Sequence, residues 1–396
     1  MLTVPVTICR RLRSLRARQS VASIKKTIQT NERHINMTDD RKKKVLVAMS
    51  GGVDSSVTAM LLCREGYDCT GVTMKLFRAD SNMTKDPSCC TSDDIADAKK
   101  ISESLGMEHT VLNFSEKFEE CVIDRFIRAY QCGATPNPCV DCNRHLKFGR
   151  LFSYAKEIGC DYISTGHYVR AEYDSKSGRY LLKKALDISK DQSYVLYSLT
   201  QEQLSHAIFP LGKMTKRDVR AEAQSAGLCN AEKHDSQDIC FIPDGKYAEF
   251  IESYTGRKFP EGDFVTSDGK TLGKHKGIIR YTVGQRRGLG LALPEPLYVC
   301  RIEPQTNRVI LGKNDELLSR ELDACDINLI SVDKIENELR VKAKVRYRQA
   351  EQWATVTQPD KNRLHVVFDE PQRAITRGQA VVLYDGDAVV GGGTIM

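Results

Sequence analysis

The sequence predicts an α/β fold: a doubly wound parallel sheet, then a small central module, then a C-terminal β-barrel. Three observations carry that expectation. Short apolar runs alternate with helix-period segments from Val45 to Thr165, the pattern of right-handed βαβ units. Residues 235–310 then change to short strands and turns rich in Gly and Pro, from Gly245 to Gly290. From about Leu311 the pattern alternates with period two, and no helix is evident.

The elements follow in order. Val45–Met49 reads as a buried parallel strand behind Lys42, Lys43 and Lys44, and it runs into Ser50-Gly51-Gly52. A helix from Ser55 to Glu65 stops at Gly66. Cys69–Leu76 is the second strand, and the polar stretch Arg78–Cys90, with Pro87, is a loop. Asp93–Leu105 is a helix with two aspartates in its first turn, and His109–Phe114 is the third strand. An amphipathic helix spans Lys117–Tyr130, a loop Gly133–Pro138, and a long helix Asn143–Ile158. Asp161–Thr165 is the fourth strand, ending in Gly166-His167. Ligands of such sheets sit at the carboxyl ends of the strands, which puts Met74, Gly166 and His167 on one rim with Ser50–Ser55. Beyond Tyr168, Glu172–Leu182 reads as a hairpin, and Gln201–Ile208 and Met214–Ala226 as helical. In the C-terminal part, Leu339–Val345, Trp353–Val356, His365–Phe368, Ala380–Leu383 and Ala388–Val390 are strands, with Asp385-Gly386 as a hairpin turn.

At 396 residues, 41% apolar and 28% charged, the chain has the make-up of a folded protein of two or three domains. No apolar run approaches the roughly 20 residues that span a bilayer, so no membrane partner is expected. The first 31 residues lack Asp and Glu and carry Arg10, Arg11, Arg13, Arg16, Arg18, Lys25 and Lys26. That composition, without a long apolar segment, is that of a mitochondrial transit peptide; the competing reading is a basic tail that binds nucleic acid. Without residues 1–40 the chain keeps 51 basic and 49 acidic residues, so most of the net +7 lies in the leader. Nucleic-acid binding must therefore rest on local patches. Fourteen cysteines without a secretory signal argue for thiol chemistry rather than a disulfide scaffold, with Cys63, Cys69 and Cys121 as small core residues.

A strand that enters a helix through two glycines aims backbone N–H groups and the helix dipole at an anion. No lysine follows as a Walker loop requires, and the dinucleotide spacing of glycines is missing. A ligand-free turn is the bland alternative. Ser50-Gly-Gly-Val-Asp-Ser55 resembles the pyrophosphate loop of enzymes that adenylate a substrate with ATP, a group that includes amidation, sulfur insertion and ligation.

Two cysteines help to choose. Cys142 stands at the start of a helix, where the dipole favours thiolate, just beyond Pro136 and Pro138. Cys240 lies where the polar run Asp235–Asp238 meets Ile239-Cys-Phe-Ile242. Each alone is more often structural; together with an adenylating loop they are better explained by sulfur transfer.

The ordered set Ser50–Ser55, Pro136-Asn-Pro with Cys142-Asn143, Gly166-His167-Tyr168, Lys190-Asp-Gln-Ser-Tyr194, Ile239–Ile242, Tyr281-Thr-Val-Gly-Gln285, Arg346-Tyr-Arg-Gln349 and Gly391–Gly393 resembles the tRNA-specific 2-thiouridylase family over residues 44–396. The resemblance implies an adenine nucleotide α-hydrolase (pyrophosphate-loop) domain over 41–234, a central linking module over 235–310 and a barrel over 311–396, after a leader of 1–40. It implies ATP bound by Ala48, Met49, Ser50, Gly51, Gly52, Val53, Asp54 and Ser55, with Met74 and Gly166 near the adenosine. Asp54 would assist Mg²⁺ or, as an alternative, cap the helix. Cys240 would carry persulfide sulfur and Cys142 would act as nucleophile or general catalyst, leaving a Cys142–Cys240 disulfide to be reduced each cycle. Asn137, Pro138 and Cys139 would line the pocket for a splayed base, and His167, Lys190, Asp191, Gln192, Arg346, Tyr347 and Gln379 would contact tRNA. The partners implied are tRNA and a persulfide protein fed by a cysteine desulfurase.

With its leader the chain resembles the family's mitochondrial members, which thiolate the wobble uridine of tRNAs for Lys, Glu and Gln at a 5-taurinomethyluridine-type base. One departure stands out: many members have Asp where this chain has Cys139. Cys139, Cys142 and Cys240 could then ligate an iron–sulfur cluster, a lesser reading than a cysteine redox pair or a neutral change. No metal site is otherwise expected. Two further alternatives are an amide-forming ligase with the same loop and an RNA-binding module with a vestigial one.

Overall fold

The computed structural model describes residues 41–77, 91–233, 239–242 and 245–396. The leader and the linker Arg78–Cys90 lie outside those residues. The first sheet is parallel, in the order β3-β2-β1-β4-β7: β1 is Lys44–Ala48, β2 Asp68–Lys75, β3 Glu108–Asn113, β4 Tyr162–Ser164 and β7 Ala207–Ile208. Strand β1 lies in the middle, as its unbroken apolar run requires. Its side chains alternate between two cores. Leu46 packs with Phe126, Leu146 and Leu151 from helices 115–131 and 138–157. Val45 and Val47 pack with Val57, Met60, Ile101 and Val219 from Val53–Arg64, Ser92–Ser104 and Lys216–Ser225. The sheet is thus covered on both faces, and truncating a side chain such as Leu46 to Ala costs roughly 2–5 kcal/mol.

Two helices differ from expectation. Segment 115–131 passes through a π turn at Glu119–Ile123, and the long helix starts at Pro138, not at Asn143. Asn137 caps it by accepting from the Cys139 N–H, and Pro138 takes the first helical position, where a missing N–H costs nothing. Its middle, Cys142–Arg150, is π-helical, a distortion that often marks functional sites. The end of the region expected to be helical over Gln201–Ile208 is β7, and the helix itself is only Gln201–Ser205.

The central module is a four-stranded sheet, β10-β11-β8-β9, built from Gly262–Thr266 (β8), Thr271–His275 (β9), Tyr298–Glu303 (β10) and Arg308–Gly312 (β11). A helix, Tyr247–Thr255, precedes it and ends at Gly256 with φ 63°. The C-terminal strands are β12 Leu318–Leu329, β13 Leu339–Lys344, β14 Gln352–Asp360, β15 Arg363–Arg373, β16 Ala380–Asp385 and β17 Ala388–Ile395. They run β12-β15-β14-β13-β16-β17 and close through β12–β17 pairing into a six-stranded barrel. Val341, Ala343, Val356, Leu364, Val366 and Phe368 fill its interior.

The hairpin expected around Glu172–Leu182 is present as β5 Val169–Asp174 and β6 Arg179–Lys184. It does not join the parallel sheet; it extends the barrel sheet, with Lys183 opposite Ala388. Tyr384 and Val382 on the barrel's outside belong to the same core as Leu46, so barrel and nucleotide-type sheet share one interior. No helix of the described residues is long and apolar enough to cross a membrane.

Candidate active site

The loop after β1 is held from several sides. Gly51 has φ 73°, and an added Cβ would lie 2.3 Å from the Asp94 carbonyl oxygen at the start of helix Ser92–Ser104. Only glycine permits both that dihedral and that approach. The Gly51 carbonyl accepts from Asn230 Nδ2 at 2.9 Å and Lys233 Nζ at 3.3 Å. Lys233 also reaches Asp94 at 2.6 Å and Asp97 at 2.9 Å. Asn230 is 4% exposed and also donates to Ser56 Oγ. Ser55 Oγ accepts from the Ser50 N–H at 3.2 Å and donates to the Gly52 carbonyl at 3.0 Å.

The first backbone bond of helix Val53–Arg64 is Ser56 N–H to Gly52 O, so the N–H groups of Val53, Asp54 and Ser55 remain outside the helical ladder. They form the donor set of an anion cradle. The residues present therefore fit a phosphate group.

Asp54 is not the helix cap. Gly52 is, and Asp54 Oδ1 accepts from Lys216 Nζ at 2.7 Å and Tyr168 Oη at 2.8 Å. Gly166 abuts the same turn, where a Cβ would lie 2.9 Å from the Asp54 carbonyl carbon and the Ser55 nitrogen. Ala48 ends β1, and Met49 is tied to β2 by its N–H on Val72 O and its carbonyl under Thr73 Oγ1. Met74 is buried in β2. Lys216, Asn230 and Lys233 were not legible as site residues, because nothing in their local pattern marks a side chain that reaches back to residues 51–54.

Cys142 lies in the second turn of its helix, not at its tip: its N–H already bonds to carbonyls of Pro138 and Cys139. Cys142 is half-buried and Cys139 exposed. Cys240 sits in a tight turn closed by Ile242 N–H on Ile239 O at 2.7 Å. The turn is anchored by Phe241, 1% exposed, among Phe118, Phe126 and Phe250. Cys142 and Cys240 thus pack against one hydrophobic core, and neither is disulfide-bonded. Among the described residues no three His, Cys, Asp or Glu side chains are arranged as metal ligands. Cys139, Cys142 and Cys240 are therefore not gathered for an iron–sulfur cluster.

Next to Cys142, Asp141 is pushed up to about 6: burial outweighs the Arg125 guanidinium at 3.1 Å and nearby Arg144. Arg144 pairs with Asp326 on β12, joining this helix to the barrel.

Several positions expected to touch RNA brace the site from within. Gln379 Nε2 donates to the carbonyls of Thr135 at 2.8 Å and Pro136 at 3.3 Å, holding the loop before Asn137 and Pro138. Asp191 caps its own turn through Ala185 N–H and Ser193, and Gln192 Oε1 accepts from the Tyr168 N–H. Arg346 donates to Ala374 O at 2.6 Å and Thr376 Oγ1 at 3.1 Å. His167 is buried between Phe148 and Phe209, bonded to Thr165 Oγ1 at 2.7 Å, and burial with nearby Lys147 keeps it neutral. Tyr347 remains 38% exposed, with its hydroxyl on the Asp191 carbonyl, and Lys190 is partly exposed beside it in sequence order.

Comparison with known proteins agrees with the fold. The family model described as a tRNA methyl transferase HUP domain matches residues 43–244, its PRC-barrel domain 248–313, and an aminomethyltransferase beta-barrel domain 319–395. The tRNA-specific 2-thiouridylase MnmA of Clostridioides difficile is 49% identical over 89% of this chain and 98% of its own. That of Acetivibrio thermocellus is 50% identical over 89% and 99%. Among solved structures, a 4-thiouridine synthetase–RNA complex with bound ATP covers 53% of this chain and 50% of that one at 16% identity and TM-score 0.34, too distant to enter the argument. The extent of the match, across all three regions and at about half identity, means that this chain belongs to the tRNA-specific 2-thiouridylase MnmA family.

Proposed function

We propose that this chain is an ATP-dependent sulfurtransferase that 2-thiolates the wobble uridine of mitochondrial tRNAs for Lys, Glu and Gln. The observation that carries the reading is the packing of the Cys142 and Cys240 segments on one face of a sheet whose central strand ends in the anion cradle at residues 50–55. ATP supplies the activation, converting the uridine C2 oxygen into an AMP leaving group as pyrophosphate departs.

The chain's own groups then have distinct tasks. The Val53–Ser55 N–H groups hold phosphate oxygens, and Lys216 offsets charge beside Asp54. Mg²⁺ would be held by phosphate oxygens and by whatever Asp54 does not give to Lys216 and Tyr168. The Thr135–Pro138 loop, braced by Gln379, orients the base. The terminal sulfur of a Cys240 persulfide attacks C2 and displaces AMP. The Cys142 thiolate then attacks Cys240 Sγ, breaking the S–S bond and releasing 2-thiouridine as the thiolate. A Cys142–Cys240 disulfide remains, and a thiol reductant supplies two electrons to reset it. The persulfide itself comes from a donor protein fed by a cysteine desulfurase. The acid-free, Arg-rich first 31 residues support mitochondrial import.

The test is thiolation of a tRNA transcript by wild-type, Cys142→Ser and Cys240→Ser chains in the presence of ATP and sulfide or a persulfide donor. Both variants should fold and make no 2-thiouridine with the persulfide donor. Normal thiolation by either would end the assignment. Formation of AMP and pyrophosphate that depends on tRNA, and not on an amino acid or ammonia, separates this reading from an amide-forming ligase.

A further inference from the structure

The single tryptophan of the chain, Trp353, is 48% exposed on the outside of the barrel. Large aromatic side chains are usually withdrawn from water, and an exposed one flanked by cations is a recurrent feature of binding surfaces. The cause of this placement is the register of β13 and β14. Alternation turns Val341 and Ala343 into the barrel and Arg340, Lys342 and Lys344 outward. Lys342 stands directly opposite Trp353, and Arg340 opposite Thr355.

Both cations lie over the indole, the Arg340 guanidinium at 5.1 Å from the ring centroid and the Lys342 ammonium at 5.3 Å. Arg340 is neutralised by Asp369, whereas Lys342 has no carboxylate within ion-pair distance among the described residues. Along the same strand face, Lys344 lies over Tyr384, itself covered by Lys184, and the chain continues into Arg346 and exposed Tyr347. The row leads from Tyr347, whose hydroxyl rests on the Asp191 carbonyl, out to Trp353.

We infer that the Arg340–Lys342–Trp353 face of the barrel is a second contact surface for the tRNA substrate, engaging its phosphate backbone and stacking an unpaired base outside the target-base pocket. The inference rests on tRNA being the substrate. Charge decides the occupant: Lys342 offers an unneutralised ammonium to a polyanion, and the indole offers a face that any base can stack on.

Trp353 is its own reporter. An unmodified tRNA transcript with uridine at the wobble position is titrated into the full chain, and the same samples are assayed for thiolation. Indole emission should fall with the midpoint given by filter binding. Trp353→Ala should weaken tRNA binding about tenfold. Lys342→Ala should make the slope of log affinity against log salt shallower by about 1, with ATP affinity unchanged. Circular-dichroism melts show whether either variant folds, and Lys342, on the outer face, provides the variant least able to disturb the barrel.

If the wild type thiolates the transcript while the emission is silent and Lys342→Ala keeps the full salt slope, the second surface is overturned and the proposed function stands. If emission responds to poly-glutamate and not to tRNA, the face serves an acidic protein and the inference is likewise overturned. A wild type that neither binds nor thiolates tRNA removes both.

Discussion

Replacing either glycine of the 50–55 loop with alanine separates two roles that the structure assigns to adjacent residues. In Gly51→Ala the backbone must hold φ near 73°, which costs an L-residue about 1–2 kcal/mol. The new Cβ would also lie 2.3, 2.7 and 2.8 Å from the carbonyl oxygen, Cα and carbonyl carbon of Asp94. These are backbone atoms, so the start of helix Ser92–Ser104 has to move, and the bonds from Asn230 and Lys233 to the Gly51 carbonyl are strained at about 1 kcal/mol each. A loss of roughly 3 kcal/mol follows, or about 5 °C in Tm for a chain of this size. If the same distortion falls on the phosphate donors, ATP affinity drops on the order of a hundredfold.

Gly52→Ala is different. Gly52 has φ −90°, and the nearest atom to its Cβ is Ser50 Oγ at 3.5 Å, an ordinary contact. Folding should lose only about 1 kcal/mol through a poorer helix cap, while the methyl group intrudes where a phosphate approaches the Val53–Ser55 N–H groups. Thermal melts and calorimetric ATP titrations of both variants are the assay. ATP binding at wild-type strength by both would refute the cradle, and an unshifted Tm for Gly51→Ala would refute the strain argument.

Three further outcomes follow from the site. The folded value of Asp141, about 6, lies above an unfolded value near 3.9, so its contribution is unfavourable once ionised and stability is lost as pH rises from about 4 to 6. Asp141→Asn should remove on the order of 3 kcal/mol of that penalty, a figure already net of the Arg125 pairing; urea midpoints that track the wild type in parallel from pH 4 to pH 7 would contradict this. Lys216→Ala leaves Asp54 without its cation beside the phosphates, and the KM for ATP should rise about tenfold, with some loss of Tm because the pair is largely withdrawn from water; an unchanged KM would remove Lys216 from the site. Gln379→Ala frees the Thr135 and Pro136 carbonyls, so kcat for thiolation should fall about tenfold while ATP binding stays at wild-type strength, as single-turnover assays can measure.

The parts of this structure written in contiguous residues were open to reading from sequence. The run Val45–Ala48, the glycine pair and the following helix period mark a strand, a tight turn and a helix within one contiguous stretch. Asn137-Pro138 is a helix start in the same local sense, but two closely spaced prolines also suit an entering loop, and the sequence alone does not say which of them opens the helix. Helix Tyr247–Thr255 was hidden in glycine-rich surroundings and has no side-chain cap, although Gly256 marks its end. Strand β12 buries few side chains beyond Leu322 and Ala324, so its alternation was too weak to stand out. What sequence could not show are the long reaches: Lys216 to Asp54, Asn230 to Gly51, and Gln379 to Pro136 join residues more than 150 positions apart. Motif resemblance found Gln379, Asp191 and Gln192, but only geometry shows that they hold the site's own loops.

The hairpin β5–β6, encoded amid the nucleotide-type domain yet laid against β17, bears on how such chains can change over time. A chain ending after Lys313 would lose the strand that Lys183 pairs with and expose the face now covered by Val382, Tyr384 and Val389. The barrel is therefore not a cassette to be swapped between relatives at the linker. Its hairpin would have to be exchanged along with it, two insertions in place of one, and that requirement favours inheritance of the whole arrangement over piecemeal recombination.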